Sequence, residues 1–283
     1  MKKYLLLIPV LFFLSCGPGE ENLNPSTSEG DTLTDSNKDT ARFKSTRAFF
    51  YSLPSPLSMA AIYSNIGLRY NESLPHDPLK ADSYSTLLSR SVNLGIYSSD
   101  LAYSIVNNNT QSSLKYLEAI RKLAMNLNMG NIFNWEDYFS RFKNNLNKKD
   151  TLAFIMSELK QEMDCFMYDN EKENMSLFIF SGAWIESLYL SSQSIKDKPN
   201  RSVSVLIAEQ KYLIDNLLNI MNDYQNEPGF EDLFQGLTDL KKSFDKMTTM
   251  VGDEVSVTNV NEHSIKELTL KVASLRNKFI SRS

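Results

Sequence analysis

Two carboxylates, Glu136 and Asp137, sit in "NWEDYFSRF" among four rings, Trp135, Tyr138, Phe139 and Phe142. Carboxyl pairs enclosed by rings serve hydrolases as general acid and base, because apolar walls keep one member protonated while the other stays ionised. A second pair, Glu158 and Glu162, stands four residues apart, on one face of a helix. The other chemistry-bearing residues are sparse. His76 and His263 are far apart in the chain, and Ser73 and Val260 occupy the positions three before them, where a di-iron bundle carries glutamate. Neither a metal nor another cofactor is expected, and histidine catalysis is not expected either. No nucleophile elbow, Walker A loop or dinucleotide-binding glycine pattern occurs. Ser-x-x-Lys occurs at Ser112/Lys115, Ser157/Lys160 and Ser243/Lys246, without its Lys-Thr-Gly and Ser-Asp-Asn companions. Cys165, inside the apolar "MDCFMY", reads as a small buried hydrophobe.

Helices must position whatever these residues do. Ser55, Pro56 and Gly67 read as N-cap, first helical residue and stop of one helix. Asp77–Pro78 is expected to open a long helix reaching Val106, and Asn109 or Thr110 to cap the next, with Gly130 as its stop. Further helices are expected at about 135–147, 151–168, 172–195, 201–226, 230–248 and 265–282. In the 201–226 segment Val203, Leu206, Gln210, Leu213, Leu217, Ile220 and Tyr224 step by 3 and 4. Ser264 and Glu267 make a capping box for the last helix. "EVSVTNV", Glu254 to Val260, alternates and suggests an ordered loop or isolated extended arm. The class is all-α, with about nine helices in a domain covering residues 46–283.

The chain also resembles itself. "GFEDLFQGL", from Gly229, repeats the layout of "NWEDYFSRF", and "GAWIESLYLS", from Gly182, that of "GIYSSDLAYS", from Gly95. The same order of blocks suggests two tandem four-helix units, about 78–168 and 171–282. With Asn134 as N-cap, Glu136 and Asp137 fall in the first helical turn, facing the positive helix end, so the pair reads as a helix-start device used twice. A glycine inside a helix in both units implies close approach. Around the first, Ser91, Gly95, Ser98 and Ala102 form a small-residue stripe. It reads either as tight packing or as a ligand groove flanked by Tyr97, Tyr103, Trp184 and Tyr189.

Lys2 and Lys3 followed by the apolar "YLLLIPVLFFL" form an export signal too short to span a bilayer. "FLSC", ending at Cys16, resembles the lipobox of bacterial lipoproteins, although Phe13 and Leu14 depart from the usual order of leucine and small residue. The resemblance implies removal of residues 1–15 and a lipid on Cys16, the membrane attachment of the mature chain. Formal charge then goes from −4 to −6 as Lys2 and Lys3 leave, which argues against nucleic acid as a partner. Residues 16–45 are rich in Gly, Pro, Ser, Thr, Asn, Asp and Glu and read as a disordered tether. Glu20 and Glu21 resemble the surface-export signal of Bacteroidota-type lipoproteins, and "DTL" and "DTA", with Thr32 and Thr40, are similar to the O-glycosylation motif of the same bacteria. "LPSP" followed by "NLGIYSSDLAYS" also resembles a group of exported helical lipoproteins from such bacteria, which implies a helical fold and an outer-membrane address but no catalytic residues. The expectation is a non-catalytic binding or scaffold module on the periplasmic or outer face, taking a protein or envelope component. An envelope enzyme using carboxylates assembled by the fold, and a glycan-binding module, are the alternatives.

Overall fold

The computed structural model describes residues 55–68, 70–224, 230–251 and 254–281. The expected signal peptide and tether, with Cys16, Thr32 and Thr40, lie outside the described residues, as does Gly229. The fold is all-α, with ten α-helices among the described residues and one short hairpin. The helices are α1 (Pro56–Asn65), α2 (Leu87–Val106), α3 (Thr110–Asn126), α4 (Trp135–Asn144), α5 (Lys149–Asp169), α6 (Glu173–Ser194), α7 (Arg201–Glu209), α8 (Lys211–Met221), α9 (Phe230–Met247) and α10 (Glu262–Ile280). Strands β1 (Thr248–Val251) and β2 (Glu254–Val257) pair antiparallel between α9 and α10, with Thr248 opposite Val257.

Local chemistry sets several ends as expected. The Ser55 side chain accepts from Ser58 N, Pro56 opens α1, and Gly67 takes the left-handed conformation at φ +98° just beyond it. Asn134 accepts from Asp137 N, so Glu136 and Asp137 occupy the first turn of α4, and Glu231 and Asp232 do the same in α9. Trp135 and Phe230 are both buried at those starts.

Five expectations need correction. The helix expected from Asp77 is only a 3-10 turn, Pro78–Ser83, and α2 begins at Leu87, where the Thr86 and Ser89 side chains cap one another's backbone N–H groups. That reciprocal cap, with Tyr84 extended and buried just before it, ends the turn. Gly130 does not stop α3; Asn128 takes the left-handed role at φ 60°, which its short polar side chain tolerates. The 201–226 helix breaks at Gln210, whose amide bonds the i−3 carbonyl of Ile207 while its side chain donates to Leu206 O. The last helix starts at Glu262, because Asn261 with Ser264 forms the box, while Glu267 pairs with Lys246 and Lys271. The expected lone arm is β2, one side of a hairpin.

Two apolar cores form. One draws on the 3-10 turn, α2, α3, α4, α5 and the start of α6, with Tyr84, Leu101, Tyr116, Phe142 and Met163 inside. The other joins α1 and the second face of α2 to α6 and the helices after it, around Trp184, Leu217, Phe244 and Phe279. Helix α2 serves both cores. It lies against α6 so closely that a β-carbon on Gly95 would overlap the Ile179 carbonyl, and one on Gly182 the Val92 carbonyl. Ile179 follows Val92 by the same 87 residues that separate Gly182 from Gly95, so the two contacts are mirror uses of one device. Contacts advance in step along both helices, which therefore run parallel, and Ser99 Oγ reaches Ala183 O at 2.8 Å.

Candidate functional site

The α2–α6 pair carries a polar centre on one side and an apolar cavity on the other. In the polar centre, Asp100 of α2 and Glu186 of α6 are both 0% exposed, and Arg276 of α10 is 4% exposed. Arg276 forks onto Glu186, with Nε to Oε2 at 2.5 Å and Nη2 to Oε1 at 2.8 Å, and lies 4.0 Å above the Tyr189 ring. Its Nη2 also donates to Leu74 O at 3.2 Å.

Segment 70–77 fills the groove beside this centre. Tyr97, Asp100 and Tyr103 stand three residues apart on α2 and hold three main-chain groups of that segment. Tyr97 OH donates to Asp77 O at 2.9 Å, His76 N donates to Asp100 Oδ2 at 3.0 Å, and Asn71 N donates to Tyr103 OH at 2.7 Å. The His76 ring stacks on Tyr97 at 5.5 Å and shares a 2.7 Å hydrogen bond with the Tyr84 hydroxyl. Burial, then the nearby Arg276 charge, lowers the His76 pKa to about 4, and burial pushes the Tyr84 hydroxyl up to about 12.

The expected groove residues are therefore placed as follows. Tyr97, Tyr103 and Trp184 are buried, and Tyr189 is half-buried beneath Arg276. Tyr97 and Tyr103 bind the chain's own 70–77 segment, while Trp184 points into the second core and stacks on Phe244. The four do not line one open groove. The small-residue stripe packs against α6 at Gly95, whereas its Ser98 faces a cavity.

That cavity, of about 110 Å³, opens on the opposite side, between the start of α1 and helices α2, α3, α5 and α6. Pro56, Leu57, Leu101, Ile120, Leu159, Met163, Met167, Ile179 and Phe180 give it apolar walls. Ser98, Ser157, Lys160, Asp164 and Ser176 supply the polar groups. Lys160 and Asp164 pair with one another, and burial raises the Asp164 pKa against the pull of Lys160. Of the Ser-x-x-Lys matches, Ser157/Lys160 reaches this cavity, but Ser157 donates to Ala153 O and Lys160 is held by Asp164, so neither addresses the other.

The remaining candidates lie apart. Glu158 pairs with Arg141, and with Glu162 and Cys165 lines an open concavity along α5. Cys165 is half-buried there instead of fully enclosed, because its face of α5 borders that concavity. His263 is exposed at the start of α10. Among the described residues, no three His, Cys, Asp or Glu side chains are grouped to hold a metal ion, and no helix is long and apolar enough to cross a membrane. Asp100, Glu186 and Arg276 were not singled out from the sequence. The available signal was a charge inside an apolar helical run, "SSDLAYS" and "AWIESLYL", since a charge buried there requires a partner. Comparisons with protein-family models, with curated proteins and with solved structures find no match.

Proposed function

We propose that this chain is a lipid-anchored, non-catalytic binding module of a bacterial cell envelope. Its cavity between α5 and the α2–α6 pair takes a small apolar group carried by a protein or other envelope component. The observation that carries the reading is the cavity: apolar walls, a few converging polar groups, and thioethers of Met156, Met163 and Met167 that adapt to irregular shapes. An apolar cavity of roughly 150 Å³ holds benzene, so one of about 110 Å³ suits a group no larger than benzene, such as a branched aliphatic chain. The carboxylates that the fold assembles, Asp100 and Glu186, are fully buried and engaged by His76 N and Arg276. Glycan binding needs two or three coplanar exposed rings; Phe154 of α5 and Tyr212 of α8 are the exposed large aromatics among the described residues. The anchor is supported by the "FLSC" resemblance and the tether composition. A duplicated four-helix unit accounts for the matched glycine contacts of α2 and α6.

Two measurements test this. Benzene should raise the melting temperature of the wild type but not of Ser98→Phe, whose ring takes up the cavity. Equal shifts in both proteins, or none in either, reject the cavity as the site. Cys16→Ala should release the protein from membranes and abolish acyl labelling; unchanged fractionation rejects the anchor.

A further inference from the structure

We propose that Asp100 carries a proton in the folded protein and donates it in a hydrogen bond to Glu186, making the polar centre a proton-dependent clasp on α2, α6 and α10. The proposal is independent of the cavity and its ligand.

Three observations carry it. The first is charge. The centre holds two fully buried carboxyls, and around Asp100 stand Glu186, Arg276, the backbone N–H of His76, and Tyr84, Tyr97, Tyr103, Tyr116 and Tyr189. Arg276 is the cation among them, and Glu186 already takes it in a two-point contact. A second buried anion would have no counter-ion, at a cost of several kcal/mol that a group avoids by neutralising.

The second is the fate of each oxygen. Asp100 Oδ2 accepts from His76 N, whereas no N–H or O–H of the protein points at Oδ1. Glu186 and Asp100 adjoin Ser187 and Ser99, whose hydroxyls lie 3.3 Å apart across the α2–α6 seam, and the Glu186 carboxyl acts on Asp100. Two carboxylates cannot bond one another, but a carboxylic acid and a carboxylate can. One proton on Asp100 thus satisfies an otherwise orphaned oxygen and removes a like-charge repulsion.

The third is direction. Burial first, and the Glu186 charge second, push the Asp100 carboxyl well above the usual carboxylate range, against the opposing pull of Arg276. His76 is held neutral beside it, so Arg276 remains the cation that acts on Asp100.

The consequence has a definite sign. A carboxyl whose folded pKa exceeds its unfolded one supports the fold fully below the unfolded value. That support is lost as pH rises through the folded pKa, when the released proton leaves Asp100 and Glu186 both charged. Each pH unit within that window costs about tenfold in the folding equilibrium constant.

The test uses Asp100→Asn, whose amide replaces the acid O–H with an N–H and cannot ionise. The folding equilibrium constants of wild type and variant are compared from pH 5 to 9 by denaturant unfolding. Infrared spectra of protein carrying ¹³C-labelled aspartate are recorded at pH 7. The wild type should show a protonated carboxyl band that Asp100→Asn lacks, and its stability relative to the variant should fall as pH rises. A ratio flat with pH, or no protonated band in the wild type, overturns the proposal. So does a band that persists in the variant, which would belong to another buried acid such as Asp164. If the variant fails to fold, Asp164→Asn provides the band assignment: a band that survives it supports Asp100, and one that vanishes overturns the proposal.

Discussion

The two sides of the α2–α6 pair solve opposite problems with the same helices. On one side, Tyr97, Asp100 and Tyr103 and their partner Glu186 are wholly enclosed, and nearly every polar atom is bonded to the 70–77 segment or to Arg276. On the other, Ser98, Leu101, Ile179 and Phe180 face a void, and the polar groups sit among apolar walls. A buried polar site already filled by the chain's own backbone has nothing left to offer a ligand. An apolar void does, since its lining lacks contact partners on one side. The difference separates what holds the helices from what they can hold.

Breaking the closed side should have the largest effect. Arg276→Ala leaves Glu186 buried without a cation and should cost about 3–5 kcal/mol of stability in denaturant unfolding. Acid should weaken the same side through His76. Its folded pKa, about 4, lies below the unfolded value near 6.5. The stability it contributes is therefore present above pH 6.5 and lost as pH falls to 4, by roughly 3 kcal/mol. His76→Phe keeps a ring on Tyr97 and removes this contribution, so the stability of the wild type relative to the variant should fall as pH drops from 6.5 to 4. The responses of His76 and of Asp100 have opposite signs and overlap between about pH 4 and 6.5, so wild-type stability should be nearly level there and fall above it.

Gly182→Ala attacks the contact between the two sides. Removing a helical glycine gains up to about 1 kcal/mol, but the added methyl would overlap the Val92 carbonyl, a backbone atom that cannot turn away. A net loss of about 2 kcal/mol is expected from thermal unfolding. The smallest change is remote from both sides. Glu136→Gln at the first turn of α4 should cost only about 0.3–1 kcal/mol, because a carboxylate there answers the helix dipole alone.

What was legible in the sequence followed the range of the interactions. The start of α4 at Trp135 and the stop of α1 at Gly67 rest on neighbours within four residues, and both were readable. The glycine approach was readable because two copies of one pattern exposed it, though not the partner each glycine meets. The break at Gln210 was hidden, since Val203 to Tyr224 keeps one periodicity straight through it. The ionic centre was hidden for a different reason. Asp100, Glu186 and Arg276 come from three helices separated by some 90 residues each, and no spacing rule connects them. Tyr97 and Tyr103 were singled out for the right helix face but the wrong occupant, because the segment that fills their groove binds through its backbone and so leaves no side-chain pattern to read.

The central claim, that the cavity and not the polar centre is where this module binds, is tested most directly by NMR of protein labelled with ¹³C at its methionine methyls during titration with benzene. Met156, Met163 and Met167 line the cavity, whereas Met221 and Met247 lie deep in the second core. The account predicts saturable shifts at the three cavity methyls, none at Met221 or Met247, and loss of the response in Ser98→Phe. Shifts spread evenly over all five, or confined to the second core, would contradict it.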